Sequence, residues 1–148
     1  FALESFWSGK SSYEELLNTA KELRVRHLNY QKEARIDLIS INDFSLYDNM
    51  LDMAVTLGAI PKRFRGLSGS ELYFSMARGN KDSVAMEMTK WFNTNYHYIV
   101  PELTPKDEYK LDASKIINEY KEAKELGIKP KVNIIGPITF LALSKRVD

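Results

Sequence analysis

Residues 36–43 read IDLISIND, and this stretch decides the fold class. Three isoleucines and a leucine alternate loosely with Asp37, Ser40 and Asn42 in a run too short to make a helix of its own, so it reads as a strand. On the N-terminal side, Ser12 opens a capping box with Glu15. Tyr13, Leu16, Leu17, Ala20, Leu23 and Leu28 then recur at three- and four-residue spacing, which predicts a helix reaching about Ala34. On the C-terminal side, Tyr47, Met50, Leu51, Ala54 and Leu57 restore helical spacing until Gly58 and Pro61 stop it. A strand between two amphipathic helices is the unit from which parallel sheets are built.

The alternation continues. After a basic loop, KRFRG (Lys62 to Gly66), short helices are predicted from Ser70 to Ala77, closed by Gly79, and from Ala85 to Trp91. Asn95 to Val100 reads as a second strand ended by Pro101, with Tyr96, Tyr98 and Val100 on one side and Asn95, His97 and Ile99 on the other. Ala113 to Leu126 carries a stripe of Ile116, Ile117, Tyr120 and Ala123 before Gly127, and KVNIIGP (Lys131 to Pro137) reads as a third strand. The expected class is α/β: a partial (βα)8 TIM-type barrel with about three parallel strands and about five to seven helices. Three strands cannot close a barrel, and the open edges call for more chain or for pairing between copies.

Both ends look abrupt. Leu3, Phe6 and Trp7 have helical spacing with no capping residue before them, and GPITFLALSKRVD (Gly136 to Asp148) starts an apolar run that stops without a turn. The expectation is an internal piece of a longer protein, with residues 1–148 forming one domain fragment.

Composition narrows the function classes. At 44% hydrophobic and 28% charged, the 148 residues have the balance of an ordinary globular domain with one core. Twenty-one basic and 20 acidic residues give a net charge of +1, too little for a global field that draws a chain onto nucleic acid or an anionic membrane, so any anion site is local. The absence of cysteine excludes disulfides and thiolate chemistry within the chain and fits a cytoplasmic setting. No apolar run reaches the ~18 residues of a spanning helix, and no signal-type segment is visible. Neither a nucleic acid nor a membrane is an expected partner.

Four further stretches carry a family likeness: NDFSLYDNMLD (Asn42 to Asp52), MARGN (Met76 to Asn80), MTKWFNTNYHYIVPE (Met88 to Glu102) and GPITFLALSK (Gly136 to Lys145). In this order and spacing, and together with AKELRVRHLNYQKEARIDL (Ala20 to Leu38), they resemble the amino-terminal barrel of the cobalamin-independent methionine synthase family across essentially the whole chain. The resemblance implies a zinc-dependent methyltransferase that moves a methyl group from 5-methyltetrahydropteroyl-polyglutamate to homocysteine. It also implies two (βα)8 barrels, with zinc held in the carboxy-terminal one by a His, two Cys and a Glu, and activating the homocysteine sulfur there. None of those ligand motifs occurs in this chain. The expected partners are the folate polyglutamate, the missing carboxy-terminal barrel, and further copies of the fragment through open sheet edges. The isolated piece should be inactive. The alternative is a stand-alone, non-catalytic α/β binding or scaffold module.

Lys90 aligns with the position that the family uses in this region to bind the folate. The chemistry suits it, because the carboxylates of a polyglutamate are held by fixed cations through charge-assisted hydrogen bonds. No residue is assigned a catalytic role and none a metal-ligating one. His97 has no Cys or Asp partner at a motif spacing and reads as satisfied by neighbours inside the barrel, where the polar groups of Asn95, Tyr96 and Tyr98 would also need partners. His27, near the end of the long helix, reads as structural. Asp43 and Asp48 flank a strand end and a helix start, and Asp43, or Ser45 nearby, reads as a cap for the following helix and not as a catalytic carboxylate at a strand end. KRFRG reads as a solvated loop, and Gly136-Pro137 as a strand terminator lacking the spacing of a phosphate loop.

Overall fold

The capping box forms as the sequence requires. The Ser12 hydroxyl accepts from the Glu15 backbone N–H at 3.2 Å, and the Ser12 N–H donates to the Glu15 carboxylate at 2.6 Å. Together they start a long helix, α2 (Tyr13–Glu33), which follows a short uncapped α1 (Ala2–Trp7). Leu16, Ala20 and Leu28 of α2 are buried, while Leu17 faces out. Residues 1–147 are described by the computed structural model, and these two helices belong to the first of two compact units, residues 1–46 with 116–133.

The sheet of this unit is a parallel pair. Strand β1 (Ile39–Ile41) runs beside a later strand, Pro130–Val132, with Ile39 opposite Pro130 and Ile41 opposite Val132. Ile39 and Ile41 bury against Leu28, Ile128 and Ala123, the last from the helix Ser114–Glu125, whose residues from 116 onward lie in this unit. The strand expected over 36–43 is therefore shorter, because Ile36 and Leu38 are half exposed and only the alternate positions 39 and 41 find a core.

The second unit comprises Tyr47–Lys115 and the described residues from Ile134 onward. Helix α3 (Asn49–Leu57) ends at Gly58 in the left-handed region, a 3-10 turn covers Lys62–Phe64, and α4 (Gly69–Arg78) ends at Gly79. Strands β2 (Met88–Lys90) and β3 (His97–Ile99) pair with each other, and β4 (Glu102–Leu103) precedes α5 (Ser114–Glu125) and β5 (Pro130–Val132). Helix α6 (Pro137–Ala142) leads to β6 (Lys145–Arg146), which lies parallel to β4. Met50, Leu51, Phe64, Met76 and Ile99 are fully buried at the centre of this unit.

Four expectations need correction. No helix covers Ala85 to Trp91: residues 88–90 form β2, because the antiparallel partner at 97–99 supplies backbone hydrogen bonds that local helical spacing cannot match. The second strand pairs antiparallel, since a short hairpin loop cannot make the long crossover that parallel pairing needs. The third strand stops at Val132, and Gly136-Pro137 starts a helix instead of ending a strand, with Pro137 at the first helical turn where its missing N–H costs nothing. The terminal run is thus a helix and a strand. Among the described residues there are six α-helices and six short strands in three two-stranded sheets, two parallel and one antiparallel; the architecture is mixed α/β and no barrel closes.

Candidate functional site

Lys90 ends β2, directly across the ladder from His97. Met88, Thr89 and Lys90 are all exposed, and among the described residues the Lys90 ammonium has no ion pair or hydrogen-bond partner. Its placement is therefore set by the hairpin backbone. That backbone is braced from within: the Trp91 N–H donates to the Tyr96 carbonyl at 2.7 Å, the Thr94 hydroxyl donates to the Trp91 carbonyl at 2.6 Å, and the Tyr96 N–H donates to the Thr94 hydroxyl at 3.2 Å. The Trp91 indole meets Tyr98 edge-on at 5.6 Å between ring centres, and Phe92 at 5.5 Å. Phe92 has φ +51°, a left-handed conformation that costs a bulky residue of order 1–3 kcal/mol, and the residue is 65% exposed. The turn beside Lys90 thus holds an aromatic side chain out in water.

A buried carboxylate lies under the hairpin. Asp48 is only 2% exposed and caps α3, accepting the Leu51 N–H at 2.9 Å through Oδ2. The same oxygen accepts the Ile99 N–H at 3.0 Å, and Oδ1 accepts the Tyr96 hydroxyl at 2.6 Å. Burial first, then the hydrogen bond to Asp48, push the Tyr96 hydroxyl up to about 12, so it remains a donor at neutral pH. Nearby, the Tyr73 hydroxyl donates to Asp52 at 2.6 Å and is pushed far above its ordinary range, chiefly by burial. Asp52 also meets Lys115 at 3.4 Å.

The other residues singled out from the sequence fall differently. Asp43 is not the helix cap, and neither is Ser45; Asp48 is, because the helix starts at Asn49 and only position 48 can reach the N–H of residue 51. His97 is exposed, its Nδ1 3.0 Å from the Asn95 carbonyl, and Asn95 and Tyr96 are exposed too, so the expected indoor wall reduces to Tyr98, Ile99 and Val100. A two-stranded hairpin has an open face, so alternation does not bury one side of it. His27 and Asp43 come together in the first unit, lining a cleft of about 280 Å³ with Glu119 and the ion pair Arg24–Glu122 at 2.9 Å. KRFRG is less solvated than expected: Phe64 is buried, Arg63 grips Glu102 through two bonds of 2.6 and 2.9 Å, and Arg65 pairs with Asp107 at 2.9 Å.

Sequence reasoning missed the Asp48 network. An Asp directly before a helical run was the available signal for the cap, whereas nothing local announces that Tyr96, 48 residues later, returns to it.

An exposed, unpaired ammonium on a stiff hairpin suits a ligand carboxylate or phosphate. The described residues include no group of three or more His, Asp or Glu disposed to hold a metal ion, and the chain has no cysteine, so this donor set does not fit a zinc site.

Comparison with known proteins adds the following. A family described as "Cobalamin-independent synthase, N-terminal domain" matches residues 1–148. A 5-methyltetrahydropteroyltriglutamate–homocysteine methyltransferase from Desulforamulus reducens is 63% identical over 147 residues, covering 99% of this chain and 19% of the relative. Proteins of the same name from Flavobacterium johnsoniae and Catharanthus roseus are 51% and 53% identical, covering 99% and 98% of this chain and 20% and 19% of their own lengths. The chain spans about one fifth of the length of these curated relatives.

Proposed function

The chain belongs to the family of cobalamin-independent synthase N-terminal domains, and from that premise we propose that it helps hold 5-methyltetrahydropteroyl-polyglutamate while the methyl group passes to homocysteine. In this reading residues 1–148 are a fragment of an amino-terminal (βα)8 barrel, which the parallel strand pairing found within each unit supports. The zinc and homocysteine belong to a carboxy-terminal barrel outside this chain, and no reacting group is assigned here. The setting is cytoplasmic, and open strand edges give the isolated chain a route to self-association.

Lys90 is the substrate-binding residue, and the observation that carries this assignment is its exposed ammonium, unpaired among the described residues, on a hairpin anchored to a buried carboxylate. A fixed cation of this kind gains a charge-assisted bond only when a glutamyl carboxylate reaches it, so its contribution depends on tail length. In the intact methyltransferase, Lys90→Ala should raise the KM for the triglutamate folate about 10- to 100-fold and leave the monoglutamate KM nearly unchanged. An unaltered triglutamate KM would remove Lys90 from the site.

A further inference from the structure

We propose that Asp48 and Tyr96 are positioning residues for Lys90: their carboxylate–phenol contact fixes the hairpin frame that aims the Lys90 ammonium. The inference rests on the reading of Lys90 as the contact to the polyglutamate tail. In the β2–β3 register, Lys90 stands opposite His97. One residue before His97, the Tyr96 hydroxyl donates to Asp48 Oδ1 at 2.6 Å; two residues after it, the Ile99 N–H donates to Oδ2 at 3.0 Å. The two oxygens of one carboxylate therefore bracket the cross-strand pair that contains Lys90. From the other strand, the Trp91 N–H donates to the Tyr96 carbonyl at 2.7 Å, so the residue next to Lys90 is tied to the same tyrosine.

The carboxylate is itself held. Asp48 is buried, and its Oδ2 also takes the Leu51 N–H at 2.9 Å at the start of α3. A helix cap needs only that last bond; the contacts to Tyr96 and Ile99 go beyond it. No side-chain partner among the described residues directs the Lys90 ammonium itself, and His97, its neighbour across the ladder, is exposed and bonded to the Asn95 carbonyl of its own loop. Tyr96 is 45% exposed, so its hydroxyl can be removed with little loss of core packing. The same change leaves Asp48 Oδ1 without that donor, so folding of the variant is read separately.

The test uses the intact methyltransferase with Tyr96→Phe, Lys90→Ala and the two combined, reading KM for tri- and monoglutamate folates, with near-UV circular dichroism to confirm folding. Tyr96→Phe removes the 2.6 Å bond to Asp48 together with the weaker contacts of 3.3 and 3.4 Å to Asn49, and should raise the triglutamate KM about 3- to 10-fold while adding nothing further in the Lys90→Ala background. Asp48→Ser, whose hydroxyl can still cap α3 but is too short to reach the Tyr96 hydroxyl, should behave the same way and serves if Tyr96→Phe disturbs the fold. If Lys90→Ala abolishes the chain-length preference while Tyr96→Phe leaves it intact, or if the two effects simply multiply, the positioning role is wrong and the reading of Lys90 stands. If Lys90→Ala leaves the preference intact, both fall.

Discussion

Gly58 passes so close to the backbone of Lys110 that a Cβ at position 58 would stand 2.6 Å from the Lys110 carbonyl oxygen and 2.8 Å from its nitrogen. Gly58 also has φ +70°, as the left-handed cap of α3. Both demands exclude a side chain. Gly9 shares the conformation at φ +71° but has nothing within 4 Å of a built Cβ. Gly9→Ala should therefore cost about 1 kcal/mol, from backbone strain alone, and Gly58→Ala at least about 2 kcal/mol. Urea denaturation of the two variants checks this; equal losses would mean that the Lys110 loop yields to the methyl group.

Asp48→Ala removes the cap of α3 and leaves the Ile99 N–H without its acceptor. The first loss is worth about 0.5–2 kcal/mol and the second about 1–3 kcal/mol. A fall of about 3 kcal/mol in unfolding free energy is expected, with a smaller fall for Asp48→Asn. Equal stabilities of the Ala and Asn variants would show that the carboxylate's acceptors do not set the energy.

Glu102 makes stability depend on acid. The Arg63 hydrogen bonds hold its carboxyl below the ordinary 4.5 against an opposing effect of burial, and the charges of Arg63 and Lys145 lower it further. A group depressed in the folded state contributes stability that is fully present above the unfolded value and is lost as pH falls through the folded one. Stability should therefore be level above about pH 4.5 as far as this group is concerned, and decline below it. Glu102→Gln should lower stability near neutral pH by about 1–3 kcal/mol and flatten the acid decline. Thermal melts at stepped pH read both, and an unchanged acid limb in the variant would assign the decline to other carboxylates.

The isolated chain should self-associate with increasing concentration, because the two-stranded sheets leave strand edges unpaired within the sheets themselves. Sedimentation equilibrium over a wide concentration range measures it. A monomer throughout would mean that the edges are already protected by loops and helices.

Much of the helical frame was legible in the sequence, for local reasons. Ser12 and Glu15 lie within one turn of each other, and Gly58 and Gly79 mark helix ends by a conformation that other residues avoid. The strands were harder to read. Met88–Lys90 has no local mark of a strand, and its identity comes from a partner segment that bonds to it across a turn. Lys90 becomes a candidate only through resemblance, since one lysine beside a tryptophan is common on surfaces. Its support was not legible: Asp48 reaches Tyr96 and Ile99 across 48 and 51 residues, and such a contact leaves no spacing to detect.

The parallel pairing of β1 with β5 sets an order of assembly. Ile39 cannot meet Pro130 until the whole of the intervening chain has been made, whereas β2 and β3 can zip across a short turn as soon as they appear. During synthesis on the ribosome the hairpin bearing Lys90 would be an early structure, while Ile39 and Ile41 wait uncovered for Ile128 and Ala123. Leu28 of α2 covers them from one side in the meantime, and the other side of this small core stays open until residues 123–132 have been made.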